Sequence, residues 1–360
     1  MRKIFISPKT CIILIVIFVL ACLMGTTIPQ RTNIRPDYFI SFQKNNPVLY
    51  RGLAFLGIYN IFTSWWFLLT IFLLSISLAI SISIQLKKAI AIYYRQKNQF
   101  VFGNTIFHGG LLVLLVSAFF TFSFKQWGFV QLIEGDTFTG HSCDFTTTDY
   151  GPLVGEFEVG YSVALEHFSH HYWDTGEIKE LKSQIIVYRP AVPLSRLTIT
   201  RESPVQVGGV EIYQSSFYGY TVKVELIRGK QVIPTYYSLD MKTDGPLRGK
   251  SFFPTTNYLL EMTYYPDYRG KSAYPVDSLL MIKFFQSGKE VARALLRLGE
   301  EVQVQENLFR FAEVRNWSGL IFTKDPFRVP ILTGFVLVVF GIFLTFFASK
   351  EFLQGESHGL

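Results

Sequence analysis

The stretch Asn104-Thr-Ile-Phe-His-Gly-Gly-Leu-Leu-Val-Leu-Leu-Val-Ser-Ala-Phe-Phe-Thr-Phe-Ser-Phe124 carries no formal charge. About 20 residues at about 1.5 Å each cross the hydrocarbon core of a bilayer, so this stretch is predicted to be a transmembrane helix. His108 lies within its first turns and is followed by Gly109 and Gly110. Ionisable side chains at membrane depth are costly and usually mark a ligand, ion or proton site.

His108 has two interpretations. A neutral imidazole is a good ligand of haem iron, and the positive end of the helix dipole disfavours its protonation. The two glycines remove side-chain bulk where a flat ligand or a second helix could approach. In the alternative interpretation, His108 is an interfacial polar residue bonded to water or to a carbonyl group. The segment by itself leaves both open.

Four segments of the chain are predicted to be transmembrane helices, at about 10–29, 65–86, 104–124 and 329–348. The first follows basic residues, as a cleaved signal peptide does, but its apolar run continues past Cys22 to Ile28, so we expect a retained helix. The predicted organisation is a three-helix region over 1–124 and a fourth helix with a short cytoplasmic tail over 326–360. A short outer loop at 30–64 and a cytoplasmic loop at 87–103 join the first three helices.

Residues 125–325 have a different pattern. Apolar residues recur with a period of about two, in runs separated by Gly, Pro, Asp and Asn, which predicts an antiparallel β sandwich or barrel. The predicted fold class is therefore a membrane protein of α plus β type, with a large β-rich extracytoplasmic domain between the third and fourth helices. Cys11 and Cys22 lie in the first helix and Cys143 is alone in the β-rich domain, so no disulfide within that domain and no thiol–disulfide exchange are expected.

The net charge of +7 is unevenly distributed. Residues 125–325 contain 21 Lys and Arg and 24 Asp and Glu, a net of −3, whereas the remainder contains 13 and 3, a net of +10. The positive charge therefore flanks the helices, and no nucleic-acid partner is expected. Eight basic residues fall on one side of the membrane: Arg2, Lys3, Lys9, Lys87, Lys88, Arg95, Lys97 and Lys350. Five fall on the other: Arg31, Arg35, Lys44, Arg51 and Arg328. By the positive-inside rule, both termini are predicted to be cytoplasmic and the β-rich domain extracytoplasmic.

Other residues that invite a functional role have simpler explanations. The spacing of His167, His170 and His171 fits neither a zinc-binding helix nor one face of a strand, so we expect a solvated polar turn. Trp65 and Trp66 are expected to belong to an aromatic belt at the membrane surface; aromatic walls beside a macrocycle are the alternative. No nucleophile elbow, phosphate loop or pair of carboxylates is evident, so no catalytic residue is predicted.

Five segments, in this order, together resemble the ResB-like (CcsB-type) cytochrome c biogenesis proteins. They are Gly25-Thr-Thr-Ile-Pro-Gln30, Tyr59-Asn-Ile-Phe-Thr-Ser-Trp-Trp-Phe67, Phe107-His-Gly-Gly-Leu-Leu112, Gly209-Val-Glu-Ile-Tyr-Gln-Ser-Ser-Phe217 and Gly319-Leu-Ile-Phe-Thr-Lys-Asp-Pro326. The family's intramembrane histidine maps onto His108, which the resemblance implies is an axial ligand of haem iron.

The resemblance also implies a subunit of the System II cytochrome c synthase in the bacterial cytoplasmic membrane. In that system a ResC/CcsA-type membrane protein is the partner, and haem b moves outward to be attached to apocytochrome c. This chain lacks the partner's tryptophan-rich motif and its paired outer histidines, as expected of one half of the complex, and the resemblance implies a non-catalytic or accessory subunit of the synthase. Two alternatives are a membrane-anchored extracytoplasmic ligand-binding or sensor module without haem, and a b-type electron-transfer subunit. The latter normally needs paired histidines on facing helices.

Overall fold

The computed structural model describes residues 8–30, 42–96, 99–175, 177–189, 192–241, 247–269 and 274–357. Part of the predicted outer loop, 31–41, lies outside these ranges. The same holds for five residues of the charge count: Arg2, Lys3, Arg31, Arg35 and Lys97.

The described helices are α1 (Pro8–Thr27), α2 (Pro47–Phe55), α3 (Trp65–Gln96), α4 (Gly103–Phe124) and α5 (Arg328–Ser357). Four stretches within them are long and apolar enough to cross a membrane: Lys9–Thr27, Trp65–Arg95, Gly103–Phe124 and Arg328–Phe346. The four predicted membrane helices are thereby confirmed, and the chain is a multi-pass membrane protein. The second of them does not end near residue 86, because the following residues include no Gly or Pro and the helix continues to Gln96.

The strands follow α4. They are β1 (Gln126–Ile133), β2 (Thr137–Phe138), β3 (Thr147–Tyr150), β4 (Ser162–Tyr172), β5 (Ile178–Arg189), β6 (Val192–Thr200), β7 (Val205–Val207), β8 (Val210–Arg228), β9 (Gln231–Asp240), β10 (Leu247–Phe252), β11 (Leu259–Tyr265), β12 (Leu279–Gln286), β13 (Lys289–Leu296), β14 (Glu301–Val304) and β15 (Asn307–Lys324). The predicted antiparallel, β-rich character is confirmed. Short 3-10 helices at Ile58–Thr63, Gln99–Phe102 and Ser142–Asp144 complete the description.

The strands form three open sheets. A seven-stranded sheet has the order β3-β1-β15-β8-β7, with β14 beside β15 and β9 beside β8. Two four-stranded sheets have the orders β10-β11-β12-β13 and β2-β4-β5-β6. Among the described strands no sheet closes into a barrel, so the sandwich alternative of the prediction is the one observed.

The main core lies between β8, β9 and β15 of the large sheet and the sheet β10–β13. Alternating side chains of facing strands are buried there, among them Phe309 and Phe284, whose ring centroids are 4.8 Å apart. Burying a large apolar side chain of this kind contributes about 1.5–3 kcal/mol. Gly219 in β8 permits the close approach of β9, because a Cβ there would lie 2.0 Å from the Leu239 carbonyl oxygen. The apolar residues at every second position of a strand lie on one face of its sheet. Two such faces pack against each other and form the sandwich.

Contacts divide the chain into two compact units. The helical unit comprises Met1–Trp127, Asp149–Phe157 and Lys324–Leu360, and the sheet unit comprises Gly128–Thr148 and Glu158–Thr323. Within the helical unit, α4 and α5 pack closely through glycines. A Cβ at Gly341 of α5 would lie 2.3 Å from the backbone nitrogen of Phe107, and a Cβ at Gly334 would lie 2.8 Å from the side chain of Leu114. Small residues at such contacts let helix backbones approach in lipid, where no hydrophobic force drives helices together.

Candidate functional site

His108 lies five residues after the start of α4 at Gly103, about 7.5 Å along the helix axis. Its Nδ1 atom is 2.8 Å from the backbone oxygen of Asn104, one turn earlier. A carbonyl oxygen can only accept a hydrogen bond, so Nδ1 must carry the proton in this arrangement. In the neutral ring Nε2 then has a free lone pair, which is the state that binds a metal. Fixing one ring nitrogen in this way orients many histidine ligands of metals.

A short chain of polar side chains joins α3 to α4 at the first turn of α4. The Asn104 amide donates from Nδ2 to Oε1 of Gln85 at 3.3 Å. The Gln85 amide in turn donates from Nε2 to Oγ of Ser81 at 3.2 Å. Because Asn104 also provides the carbonyl for His108, this chain fixes the turn that holds the imidazole.

The two glycines after His108 face different surroundings. A Cβ at Gly110 would lie 2.6 Å from the backbone nitrogen of Val338 in α5, whereas a Cβ at Gly109 would meet nothing within 4 Å. Gly110 therefore serves helix packing, and Gly109 leaves space beside His108. The two glycines were predicted to make room for either a flat ligand or a second helix. Gly110 makes room for a second helix, which is α5.

These features fit one axial position of a haem. A half-buried imidazole has its Nδ1 proton held by a carbonyl and an uncrowded glycine next to it. Within the part of the chain that the structure describes, no three His, Cys, Asp or Glu side chains come together as a metal site. The arrangement can supply one neutral nitrogen ligand.

Comparison with known proteins identifies the family. The family model described as the ResB-like family matches residues 9–100 and 98–351. The chain belongs to the ResB-like family. Its relatives include the cytochrome c biogenesis protein Ccs1 of Rhodomonas salina, which is 20% identical over 410 residues covering 95% of this chain and 87% of the relative. The cytochrome c biogenesis protein CcsB of Microcystis aeruginosa is 21% identical over 399 residues, covering 95% of this chain and 86% of the relative.

Two of the family-like segments in this ResB-like chain contact each other directly. Gln30, after α1, donates from Nε2 to the Ile58 carbonyl at 3.1 Å and accepts from the Ile61 backbone N–H at 3.1 Å. A Cβ at Gly25 would lie 2.5 Å from the ring of Phe62. These contacts hold the end of α1 against the turn before α3. The role of both segments here is therefore to pack the helices together.

The segment Gly209–Phe217 also has a packing role in the sheet unit. The Ser183 hydroxyl of β5 donates to Oε1 of Gln214 at 2.6 Å, and Nε2 of Gln214 donates to the Ser318 hydroxyl at 2.8 Å. This buried group joins β5 of one four-stranded sheet to β8 and β15 of the seven-stranded sheet. A satisfied buried polar network of this kind specifies how the two sheets meet.

The tryptophans lie far from the candidate site. Trp66 donates its indole N–H to the Leu56 carbonyl at 2.8 Å, and Trp65 is 71% exposed at the start of α3. Gln85, which bonds to Asn104, lies about 28 Å further along α3 at ~1.5 Å per residue. The two tryptophans therefore cannot form walls beside a macrocycle bound to His108.

The prediction of a solvated turn at His167, His170 and His171 is wrong. All three belong to β4, and His170 is only 4% exposed. The register of β4 against β5 shifts between Leu165 and His167, so Glu166 and His167 are both exposed and the inward positions move to Phe168 and His170. A β-bulge shifts the strand's alternation by one residue in this way, which histidine spacing does not reveal.

Proposed function

We propose that this ResB-like chain is a haem-handling subunit of a membrane cytochrome c biogenesis assembly, with His108 as an axial ligand of haem iron. One observation carries the proposal: the imidazole is fixed through Nδ1, leaving Nε2 available beside the uncrowded Gly109. The names of the relatives, cytochrome c biogenesis proteins Ccs1 and CcsB, support the same process.

The proposed partners follow from the ligand set. His108 is the one histidine in the described parts of α1, α3, α4 and α5, so an iron with two histidine ligands within the membrane would take the second histidine from another molecule. A ResC/CcsA-type membrane protein is the proposed source, and apocytochrome c is the proposed recipient. The role proposed for the sheet unit is to hold apocytochrome c. In this role the chain is an accessory subunit of the synthase complex.

Haem b, as cargo, supplies the iron and the vinyl groups that become thioether-linked in cytochrome c. The chain's own residues position one ligand. The Asn104 carbonyl holds the proton on Nδ1 of His108, and the Gln85 amide fixes Asn104 against α3. Gly109 keeps the adjacent helix surface free of a side chain.

The proposal is tested by co-expressing the full chain with its multi-span partner and recording the visible spectrum of the purified complex. His108→Ala is expected to lose most of the haem absorbance and most cytochrome c assembly. Its amount in the membrane is expected to be unchanged, because Ala is apolar and a good helix former. Added imidazole is expected to restore part of the absorbance by occupying the vacated ligand position.

The matched control is His141→Ala, which removes a histidine whose side chain is 68% exposed in the sheet unit. This variant should keep the wild-type spectrum. Unchanged haem content and unchanged cytochrome c assembly in the His108→Ala protein would refute the ligand assignment. A colourless wild-type complex would instead favour a ligand-binding or sensor module without haem.

A further inference from the structure

The short helix α2 has an apolar stripe with no protein against it among the described residues. Val48, Leu49, Gly52, Phe55 and Leu56 recur with the spacing that places them on one side of a helix. The exposed fractions are 83% for Val48 and 87% for Phe55, and no residue of α2 is buried. Large apolar side chains gathered on one face and left this exposed indicate a surface that something covers.

Tyr50 and the C-terminal end of α2 attach this helix to the rest of the helical unit. The Tyr50 ring stacks on the buried Tyr59 ring with centroids 5.6 Å apart. The helix ends where Gly57 adopts a φ of +69°, and the Leu56 carbonyl then accepts the Trp66 indole N–H at 2.8 Å. The orientation of α2 is therefore fixed, and its apolar stripe points outward as a consequence.

The position of these attachments identifies the environment of the stripe. Trp66 lies at the start of the membrane-crossing part of α3, and Tyr59 lies in the turn that Gln30 bonds to the end of α1. Two spanning helices thus meet the membrane surface at the place where α2 is held. Trp65, the first residue of α3, is 71% exposed. Tryptophan at such a position usually lies at headgroup depth.

We propose that α2 is an interfacial helix that lies in the plane of the membrane, with Val48, Leu49, Phe55 and Leu56 inserted among the lipid acyl chains. Amphipathic helices in this position bury their apolar face about 5–10 Å into the boundary between headgroups and acyl chains. Arg51, at the edge of the stripe and exposed, is placed to reach lipid phosphate groups. By fixing the turn between α1 and α3 to the bilayer surface, α2 sets the depth of both helices.

The test uses the full chain in vesicles of phosphatidylethanolamine and phosphatidylglycerol, without any partner protein. Cys11, Cys22 and Cys143 are replaced by serine, and single cysteines are introduced as Val48→Cys, Phe55→Cys or Ala54→Cys for nitroxide labelling. Ala54 is the matched control, because it is exposed on the side of α2 opposite the stripe. Collision of each label with oxygen, which concentrates in lipid, is compared with collision with a water-soluble nickel chelate.

Labels at positions 48 and 55 are expected to show an oxygen-to-nickel accessibility ratio several-fold above that of the label at position 54. Ratios equal to that at position 54 would place the stripe in water and overturn the proposal in favour of a protein-docking surface. Labels shielded from both reagents would also overturn it, because the stripe would then be covered by a second copy of the chain. Both substituted side chains are exposed, so their replacement removes no internal packing.

Discussion

Two histidines of this chain occupy opposite environments. His108 is half-buried, with one ring nitrogen fixed by a carbonyl and the other available to a ligand. His170 is buried in the sheet unit, where its Nε2 atom is 3.2 Å from the Tyr220 hydroxyl and the Tyr274 ring stacks on it with centroids 5.2 Å apart. Its Nδ1 atom has no hydrogen-bond partner among the described residues. His108 therefore keeps one ring nitrogen available, whereas His170 is placed to respond to pH.

We expect the sheet unit to lose stability in acid because of His170. Burial, followed by the charge of His171, lowers the pKa of His170 from 6.5 to about 4. Between these values the unfolded state binds more protons than the folded state, so the free energy of unfolding falls as the pH decreases from about 6.5 to about 4, by about 3 kcal/mol. Thermal unfolding of the full chain across this pH range measures the effect.

The His170→Phe variant should lose this pH dependence, because the titrating group is gone. His171→Phe removes an exposed neighbour and should keep most of it. An identical pH dependence in the wild type and the His170→Phe protein would show that other groups cause the acid sensitivity.

At the scale of elements, adjacent glycines of α4 have different roles. Gly110 and Gly341 permit backbone contact between α4 and α5, whereas Gly109 borders open space. In a bilayer, helix association depends on such close contact rather than on hydrophobic exclusion from water. Gly109 is therefore an open position and Gly110 a packing position, although the two residues are adjacent.

Gly110→Ala is expected to destabilise the packing of α4 on α5 by about 1–3 kcal/mol, because the added methyl group meets the Val338 backbone, which cannot rotate away. Gly109→Ala should be neutral or stabilising by up to ~1 kcal/mol through helix propensity. Thermal unfolding in detergent compares the two variants directly. Gly109→Leu should remain folded and, under the proposed function, lose haem. Equal destabilisation by the two alanine variants would contradict this division of roles.

At the scale of the whole molecule, charge and hydropathy divide the chain in the same way. The residues that flank the apolar helices have a net positive charge. The strand-bearing residues 125–325 have a net charge of −3, with 21 basic and 24 acidic side chains. The basic flanks predict an extracytoplasmic location for the strand-bearing residues. The three cysteines provide a direct way to measure it, because Cys143 is exposed whereas Cys11 and Cys22 lie in α1.

A membrane-impermeant maleimide is expected to label Cys143 in intact cells, since the thiol would face the outside. A Lys88→Cys variant in a background without the native cysteines should react only after the cells are permeabilised, because Lys88 is exposed near the predicted cytoplasmic end of α3. Labelling of both positions under the same conditions would refute the predicted topology.

The sequence by itself determined the membrane helices, the β-rich class of residues 125–325 and the choice of His108 as the candidate ligand. These are properties of length, composition and local periodicity, which can be counted along a chain without knowing its neighbours. The family-like segments were also visible in the sequence, although their contacts were not.

Only the tertiary structure decided which histidine of β4 is buried, which glycine beside His108 is free and which face of α2 is exposed. Each depends on a partner distant in sequence or on a single irregularity: the bulge before His167, the backbone of Val338 in α5, and the attachment of α2 through Tyr50 and Trp66. A bulge moves every later side chain of a strand to the other face, and a glycine contact exists only when a second helix is in place. Local patterns specify the elements, and packing between them assigns each side chain to its environment.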